Sequence, residues 1–419
     1  MNISKNCGII KSWLDNDCYN TNQAFFFWIK WKNAVGRYAY KCRSKGVDLS
    51  VLLEALKREL QHMHELEFTK EDAVKLCRNT RVTMAFAMSL VGKRILDIHQ
   101  VKVFINKKGD LVLNYEGPIW LRILVETPLL ATISELYFRH TMSEEKYAEA
   151  HQAGLQWITE TAKKMTSFPE GFGVTEGGTR RRFSVAHYEN VLKALKEHSG
   201  GKLKATSNIY YGDLYGIPVV GTMAHQLQMF YQAVTTVQNS VAASLRDWVE
   251  VFEDQREAMG TALTDTLGDQ YWSWVFKKEN LPSFFHTERH DSGCPFAWGY
   301  LRLKQYKQMN LQTVGRSLLF SDNLNLDKAL ALYNEFSGLI NVKIMIGTFL
   351  VNTIPVDGHE ALSQVIKLVW ANAEGDYENM QPLVKLSADM AKSQGECETH
   401  NAHAIWVAEN CPDVLAELA

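Results

Sequence analysis

The sequence predicts an α/β chain: a barrel of parallel strands that carries the chemistry, with a smaller α/β domain beside it. Three observations point there. At 419 residues the chain exceeds one ordinary domain. From about residue 117 onward, short apolar runs end in small or polar residues and are followed by helix-like segments. Four of these runs begin roughly thirty residues apart, about one βαβ unit each. Polar groups at successive strand C-termini suit a barrel with its site at that rim, whereas a doubly wound open sheet announces itself with a GxGxxG turn, and none follows an early strand here.

Taken in order, residues 1–116 are expected to form an N-terminal α/β domain, marked by helical spacing at Leu52, Leu53, Leu56, Leu60 and Met63. Residues 117–370 are assigned to the barrel. Its strand ends are read at Val219-Val220-Gly221-Thr222, Ala262-Leu263-Thr264-Asp265, His290-Asp291-Ser292-Gly293, Leu318-Leu319-Phe320-Ser321-Asp322-Asn323 and Ile344-Met345-Ile346-Gly347-Thr348. Leu227, Phe230, Val234 and Val237 extend a helix from His225, and residues 327–336 form another. The most apolar stretch, 339–356, is broken by Asn341, Lys343, Asn352 and Pro355, so it reads as a buried strand and loop and not as a membrane span. Residues 371–419 are expected to be a C-terminal segment packing back on the N-terminal domain.

Composition narrows the partners. A net charge of −2 supplies no global field for nucleic acid or an anionic membrane surface, so any anion must be held by a local site. The seven cysteines are odd in number, scattered and without a CxxC pair, which fits a reducing compartment. The first 17 residues carry Lys5, Lys11, Asp15 and Asp17 and no apolar core, so no secretion signal is expected and the cytoplasm is the expected location. Cys397, His400 and His403 have metal-ligand types at helical spacing, but a polar tail segment is the reading adopted.

The chemistry is concentrated in two segments. Gly178-Thr179-Arg180-Arg181-Arg182-Phe183-Ser184 sets arginines behind glycines. Glycine admits close backbone approach, and Arg180 and its neighbours offer forked donors for phosphate or carboxylate; a solvated charge run is the alternative. Gly221-Thr222-Met223-Ala224-His225 ends in a histidine at a helix start, a place for an acid, a base or a phosphate acceptor, or for a structural histidine. Asp265, Asp291 and Asp322 lie on successive strand ends, where carboxylates converge on Mg²⁺ or sugar hydroxyls, or cap the next helix. Gly347 and Thr348 could bring backbone N–H groups around a phosphate.

At these residues the chain resembles the nicotinate phosphoribosyltransferase family over nearly its full length. Supporting segments are Trp13-Leu14-Asp15-Asn16-Asp17-Cys18-Tyr19, Glu126-Thr127-Pro128-Leu129-Leu130-Ala131-Thr132-Ile133-Ser134-Glu135, Arg289-His290-Asp291-Ser292-Gly293 and Val365-Ile366-Lys367-Leu368-Val369. The resemblance implies an irregular TIM-like α/β barrel of the type II phosphoribosyltransferase kind with a smaller α/β domain. It implies transfer of phosphoribose from phosphoribosyl pyrophosphate to nicotinate, giving nicotinate mononucleotide and pyrophosphate in NAD salvage, with Mg²⁺ and with ATP as co-substrate. By the same resemblance His225 is the phosphohistidine, and Tyr19, Thr222 and Arg289 contact nicotinate. Arg180, Asp291, Gly347 and Thr348 hold phosphate or phosphoribosyl pyrophosphate, and Asp265 with Asp291 holds Mg²⁺. Tyr19 reaches the site from a neighbouring subunit in dimeric members, so a homodimer is among the assemblies implied.

The chain also departs from the family pattern. Where the family has Asp-Phe-Gly-Thr-Arg, it has Glu176-Gly177-Gly178-Thr179-Arg180, so the aromatic that stacks on the pyridine ring is missing; Phe172 and Phe183 are the candidates to replace it. Met345, Cys294 and Asn20 stand where the family has Gly, Asp and Lys, and residues 373–381 resemble an insertion. Two alternatives follow: nicotinamide as the accepted base, or a catalytically silent homologue that binds phosphoribosyl pyrophosphate or nucleotide.

Overall fold

A computed structural model describes residues 8–385, 406–407 and 409–411. They fall into two compact units, neither of them a continuous stretch of chain. Residues 8–28, 37–221 and 346–367 form the first; residues 29–36, 222–345 and those described from 368 onward form the second. The segment with Cys397, His400 and His403 lies outside the described residues.

In the first unit, strands Val35–Cys42 (β1), Val101–Ile105 (β2) and Leu111–Pro118 (β3) adjoin in the order β1-β3-β2. β2 and β3 are antiparallel, with Val103 opposite Leu113. Strict alternation in β3 buries Leu111, Leu113 and Tyr115 on one face. The spacing noted at Leu52–Met63 becomes helix Leu53–Glu65, which buries Leu56, Leu60 and Met63. Helix Glu126–Thr141 is buried along most of its length, polar Thr127, Thr132, Ser134 and Glu135 included. Strands Val174–Glu176 (β4) and Leu203–Thr206 (β5) pair in parallel, joined by helix Val185–His198, whose cap is Ser184. The strand expected at Val219-Val220 is reduced to one bridge, Thr206 to Val219.

The second unit is a run of βαβ repeats. Strands Thr261–Leu263 (β6), Thr287–His290 (β7), Ser317–Phe320 (β8) and Asn341–Ile346 (β9) are parallel and adjoin in chain order. Helices Asp269–Lys278, Pro295–Gln308 and Leu326–Phe336 alternate with them, the arrangement that the strand spacing predicts. Strand Gln364–Asn372 (β10) enters this unit at Leu368, and its hairpin partner is Gln381–Pro382 (β11). The insertion-like residues 373–381 lie in this hairpin, where the Asp376 carboxylate accepts from the Asn379 backbone amide.

A further local expectation is corrected, and one alternative is decided. The helix from His225 stops at Phe230, a 3-10 turn follows, and a new helix runs Val237–Phe252. The β-branched run Val234-Thr235-Thr236-Val237 is a poor helix interior, and the Thr235 hydroxyl donates to the Tyr231 carbonyl. Asp322 does not cap helix Leu326–Phe336; Asn325 does, accepting from Lys328 N.

Candidate functional site

The second unit collects one cluster at the C-terminal ends of its strands. Parallel pairing sets Leu263 opposite Arg289, so Asp265 and Asp291, each two residues further on, emerge side by side. His225, the first residue of helix His225–Phe230, reaches both. Its Nε2 lies 2.9 Å from Asp291 Oδ2 and 3.6 Å from Asp265 Oδ1, and its Nδ1 lies 2.9 Å from Thr266 Oγ1. Arg289 spans Asp291 and the end of β8: its Nη2 donates to Asp291 Oδ1 at 3.0 Å and its Nε to Ser321 Oγ at 2.9 Å. Ser292 Oγ donates to Asp265 Oδ2 at 2.8 Å. Lys385 completes the group, its Nζ 3.0 Å from His225 Nε2 and 3.4 Å from Asp265 Oδ2. Thr222 sits half-buried in the loop that precedes His225.

Electrostatically the cluster is close to balanced. Burial, then the Lys385 ammonium, pull the His225 imidazole below its ordinary value, and the two aspartates oppose them. Burial works to raise the Asp291 carboxyl, yet Arg289 and His225 outweigh it and hold it well below the carboxylate range. For Asp265, burial is likewise outweighed, by His225 and Lys385. The result is an imidazole whose proton affinity burial lowers, set among two carboxylates and two cations. Oxygen and nitrogen donors of His225, Asp265 and Asp291 lie within 4.8 Å of one another.

The first unit builds a second constellation. Gly177 N donates to Ile346 O at 3.0 Å, which brings the glycine turn against the loop that starts Thr348–Val351. A Cβ on Gly178 would stand 2.9 Å from Gly347 C and O, closer than any side chain tolerates against backbone. Glu176 fixes the turn from below, accepting from Gly178 N, the Tyr188 hydroxyl and the Thr206 hydroxyl. Burial nevertheless pushes this carboxyl up to about 7.

Arg180 projects half-exposed from the turn with Nη1 3.5 Å from Glu126 Oε1. Burial raises Glu126 to about 7, with Arg180 opposing. Tyr19 is raised by burial and then by Glu126, which sets it beside the same pair. Gly221 closes over the start of helix Cys18–Lys30: its carbonyl accepts from Asn22 Nδ2 at 2.7 Å, and a Cβ there would stand 2.6 Å from Tyr19 N.

The arginine run therefore divides by environment. Arg180 and Arg181 are partly exposed, while Arg182 is fully buried in a bidentate pair with Asp15 at 2.8 and 2.7 Å. Neither aromatic candidate replaces the missing ring at 177. Phe183 is locked in the core against Phe138, Tyr147 and His359, and Phe172 is buried against Phe168. Asn20, in the family's Lys position, is buried between Asn16 Oδ1 and Thr127 Oγ1.

Thus Thr222, His225, Asp265, Arg289 and Asp291 share the second unit, and Tyr19, Arg180, Gly347 and Thr348 the first. Sequence reasoning missed Thr266, Lys385, Glu126 and Glu176 as contributors. Thr266 was signalled by its place beside Asp265 on a strand end. Lys385, 160 residues from His225, had no signal.

Among known proteins, the nicotinate phosphoribosyltransferase (NAPRTase) family model matches residues 172–409, and the NAPRTase N-terminal domain model matches 14–134. A nicotinate phosphoribosyltransferase of Psychromonas ingrahamii is 31% identical over 393 residues, covering 93% of this chain and 92% of that one. That of Burkholderia mallei is 31% identical over 401 residues, 94% and 96%. The crystal structure of nicotinate phosphoribosyltransferase from Porphyromonas gingivalis superposes with a TM-score of 0.85 at 27% identity, covering 96% of this chain and 100% of that one. The one from Vibrio cholerae gives 0.84 at 28%, covering 99% and 97%. The chain belongs to the nicotinate phosphoribosyltransferase family.

Proposed function

We propose that the protein transfers phosphoribose from phosphoribosyl pyrophosphate to the ring nitrogen of nicotinate, releasing pyrophosphate, and couples this to ATP through a phosphoryl group carried on His225. The observation that carries the proposal is the environment of His225: an imidazole that burial keeps neutral, held at Nδ1 by Thr266, with Lys385, Asp291 and Asp265 around Nε2. A neutral, oriented imidazole is a nucleophile toward phosphorus.

Each unit has a part in this reading. Transfer from the sugar needs little covalent work, because the ribosyl carbon becomes cationic as pyrophosphate leaves, so positioning and charge dominate. In the first unit Arg180 binds phosphate or carboxylate, Gly347 and Thr348 take the 5′-phosphate and Tyr19 contacts nicotinate; in the second, Thr222 and Arg289 contact nicotinate. Asp265 and Asp291 are hard oxygen donors that would hold Mg²⁺. The ion neutralises charge on the leaving group when bound. Arg289, as a partner for a carboxylate, favours nicotinate over the neutral amide. A cytoplasmic homodimer belongs to the same proposal.

The test is nicotinate mononucleotide formation from phosphoribosyl pyrophosphate, nicotinate and Mg²⁺, with and without ATP, alongside nicotinamide and His225→Ala. ATP-stimulated product from nicotinate, with stimulation lost in the variant, is expected. Product from nicotinamide alone would transfer the assignment to the other base. Absence of product from either base would leave a binding protein.

A further inference from the structure

We propose that Lys385 is the cation that receives the phosphoryl group on His225; this rests on the reading of His225 as phosphoryl acceptor. Phosphate on this imidazole faces an electrostatic difficulty, because a Mg²⁺ held by Asp265 and Asp291 would offset only those two carboxylates. A phosphoryl group brings close to two negative charges into contact with the carboxylates of Asp265 and Asp291, which lie 3.6 and 2.9 Å from Nε2. Arg289 is engaged with Asp291 and Ser321. Lys385 touches both the imidazole and Asp265. Its side chain is only 4% exposed, so its charge acts with little screening from water.

The backbone around this lysine is pinned. Leu383 N donates to Val369 O at 3.0 Å, continuing the β10–β11 pairing. Val384 N donates to Gln232 Oε1, and Gln232 Nε2 donates back to Val384 O, both at 2.8 Å. Gln232 lies on the 3-10 turn directly after the helix that His225 opens. One reciprocal amide pair thus ties the backbone before Lys385 to the element that carries the histidine and fixes their separation. A buried lysine with a pinned backbone and two polar partners is a placed charge, not a chance surface residue.

In the phosphorylation step the Nε2 lone pair attacks the γ-phosphorus of ATP; an N–P bond forms, and the P–O bond to the β-phosphate breaks with its electron pair leaving on ADP. The ring keeps its Nδ1 proton, donated to Thr266 Oγ1. Lys385, which donates to the Nε2 lone pair beforehand, donates to a phosphoryl oxygen afterwards. The ammonium therefore sits on the acceptor nitrogen when no phosphate is present and on a phosphoryl oxygen, two bonds further out, when it is.

The experiment measures phosphoenzyme directly. Full-length protein, His225→Ala, Lys385→Met and Lys385→Arg are incubated with γ-labelled ATP and Mg²⁺, and acid-labile label on protein is followed for rate of formation and, after removal of ATP, for lifetime; thermal melting reports folding of each variant. The expected result is labelling of the parent and none of His225→Ala. Lys385→Met should label about 100-fold more slowly, the size of a lost preorganised donor, with a shortened lifetime, and Lys385→Arg should recover most of the rate. A merely structural lysine would lower the melting temperature and leave rate and lifetime of the folded fraction unchanged. Parental rate and lifetime in folded Lys385→Met would overturn the inference while leaving phosphorylation of His225 intact. An unlabelled parent that still makes nicotinate mononucleotide would instead overturn the phosphohistidine reading, and this inference with it.

Discussion

Replacing Glu176 by Gln should make the protein more resistant to unfolding at alkaline pH while changing little at acidic pH. Glu176 is wholly buried under the 176–179 turn, and burial lifts its carboxyl from 4.5 to about 7 despite three donors. An unfolded chain holds the same carboxyl near its ordinary value. Below pH 4.5 both states are protonated and the residue contributes no pH dependence. Between 4.5 and 7 the unfolded state has lost a proton that the folded state still binds, so stability falls as pH rises. Above 7 the loss is complete. A gap of this size, at about 1.36 kcal/mol per pH unit, amounts to about 3 kcal/mol. Glutamine keeps an oxygen for Gly178 N and carries no charge at any pH. Glu126 has the same elevation, but it is present in both proteins and drops out of their difference. Urea unfolding of parent and Glu176→Gln at about pH 5, 6, 7 and 8, followed by tryptophan fluorescence, reads the effect. Part of the gap has already opened at the acid end of that range, so the difference in unfolding free energy should move by about 2–3 kcal/mol in favour of the variant across it. A difference that stays constant across the range would refute the reasoning.

Two further outcomes test the local geometry. Gly178→Ala places a methyl against the Gly347 carbonyl and Val351, so the backbone must separate. Steady-state kinetics should show KM for phosphoribosyl pyrophosphate raised about 10-fold or more, and melting should show a loss of about 1–3 kcal/mol, the usual cost of overpacking. Phe183→Ala should cost about 3–5 kcal/mol through the cavity it leaves, with KM for nicotinate unchanged in the folded enzyme. A weakened nicotinate KM with parental stability would return Phe183 to the base site.

Much of the molecule was legible in one dimension because local chemistry dictates it. The βαβ spacing of the second unit could be counted from apolar runs ending in Thr264-Asp265, Asp291 and Ser321, since parallel strands of similar length with crossover helices repeat at a fixed chain length. Those ends also named the carboxylates. Errors arose where one-dimensional pattern underdetermines packing. The leucine-and-valine spacing after His225 continued past a β-branched run, whereas the helix ends at Phe230. Three adjacent arginines looked alike, yet Asp15, distant in sequence, claims Arg182 and leaves Arg180 half-exposed. Phe183 offered an aromatic ring near the glycine turn, and its core partners remove it from any pocket wall.

By itself the sequence determined the α/β class, the strand ends and the place of the histidine at a helix start, because periodicity and residue type are properties of short segments. Only the tertiary structure decided which charges meet. Strand register put Asp265 beside Asp291, and the Gln232–Val384 amide pair delivered Lys385 to His225. Hydrogen bonds between remote segments set such distances, and no local pattern records them.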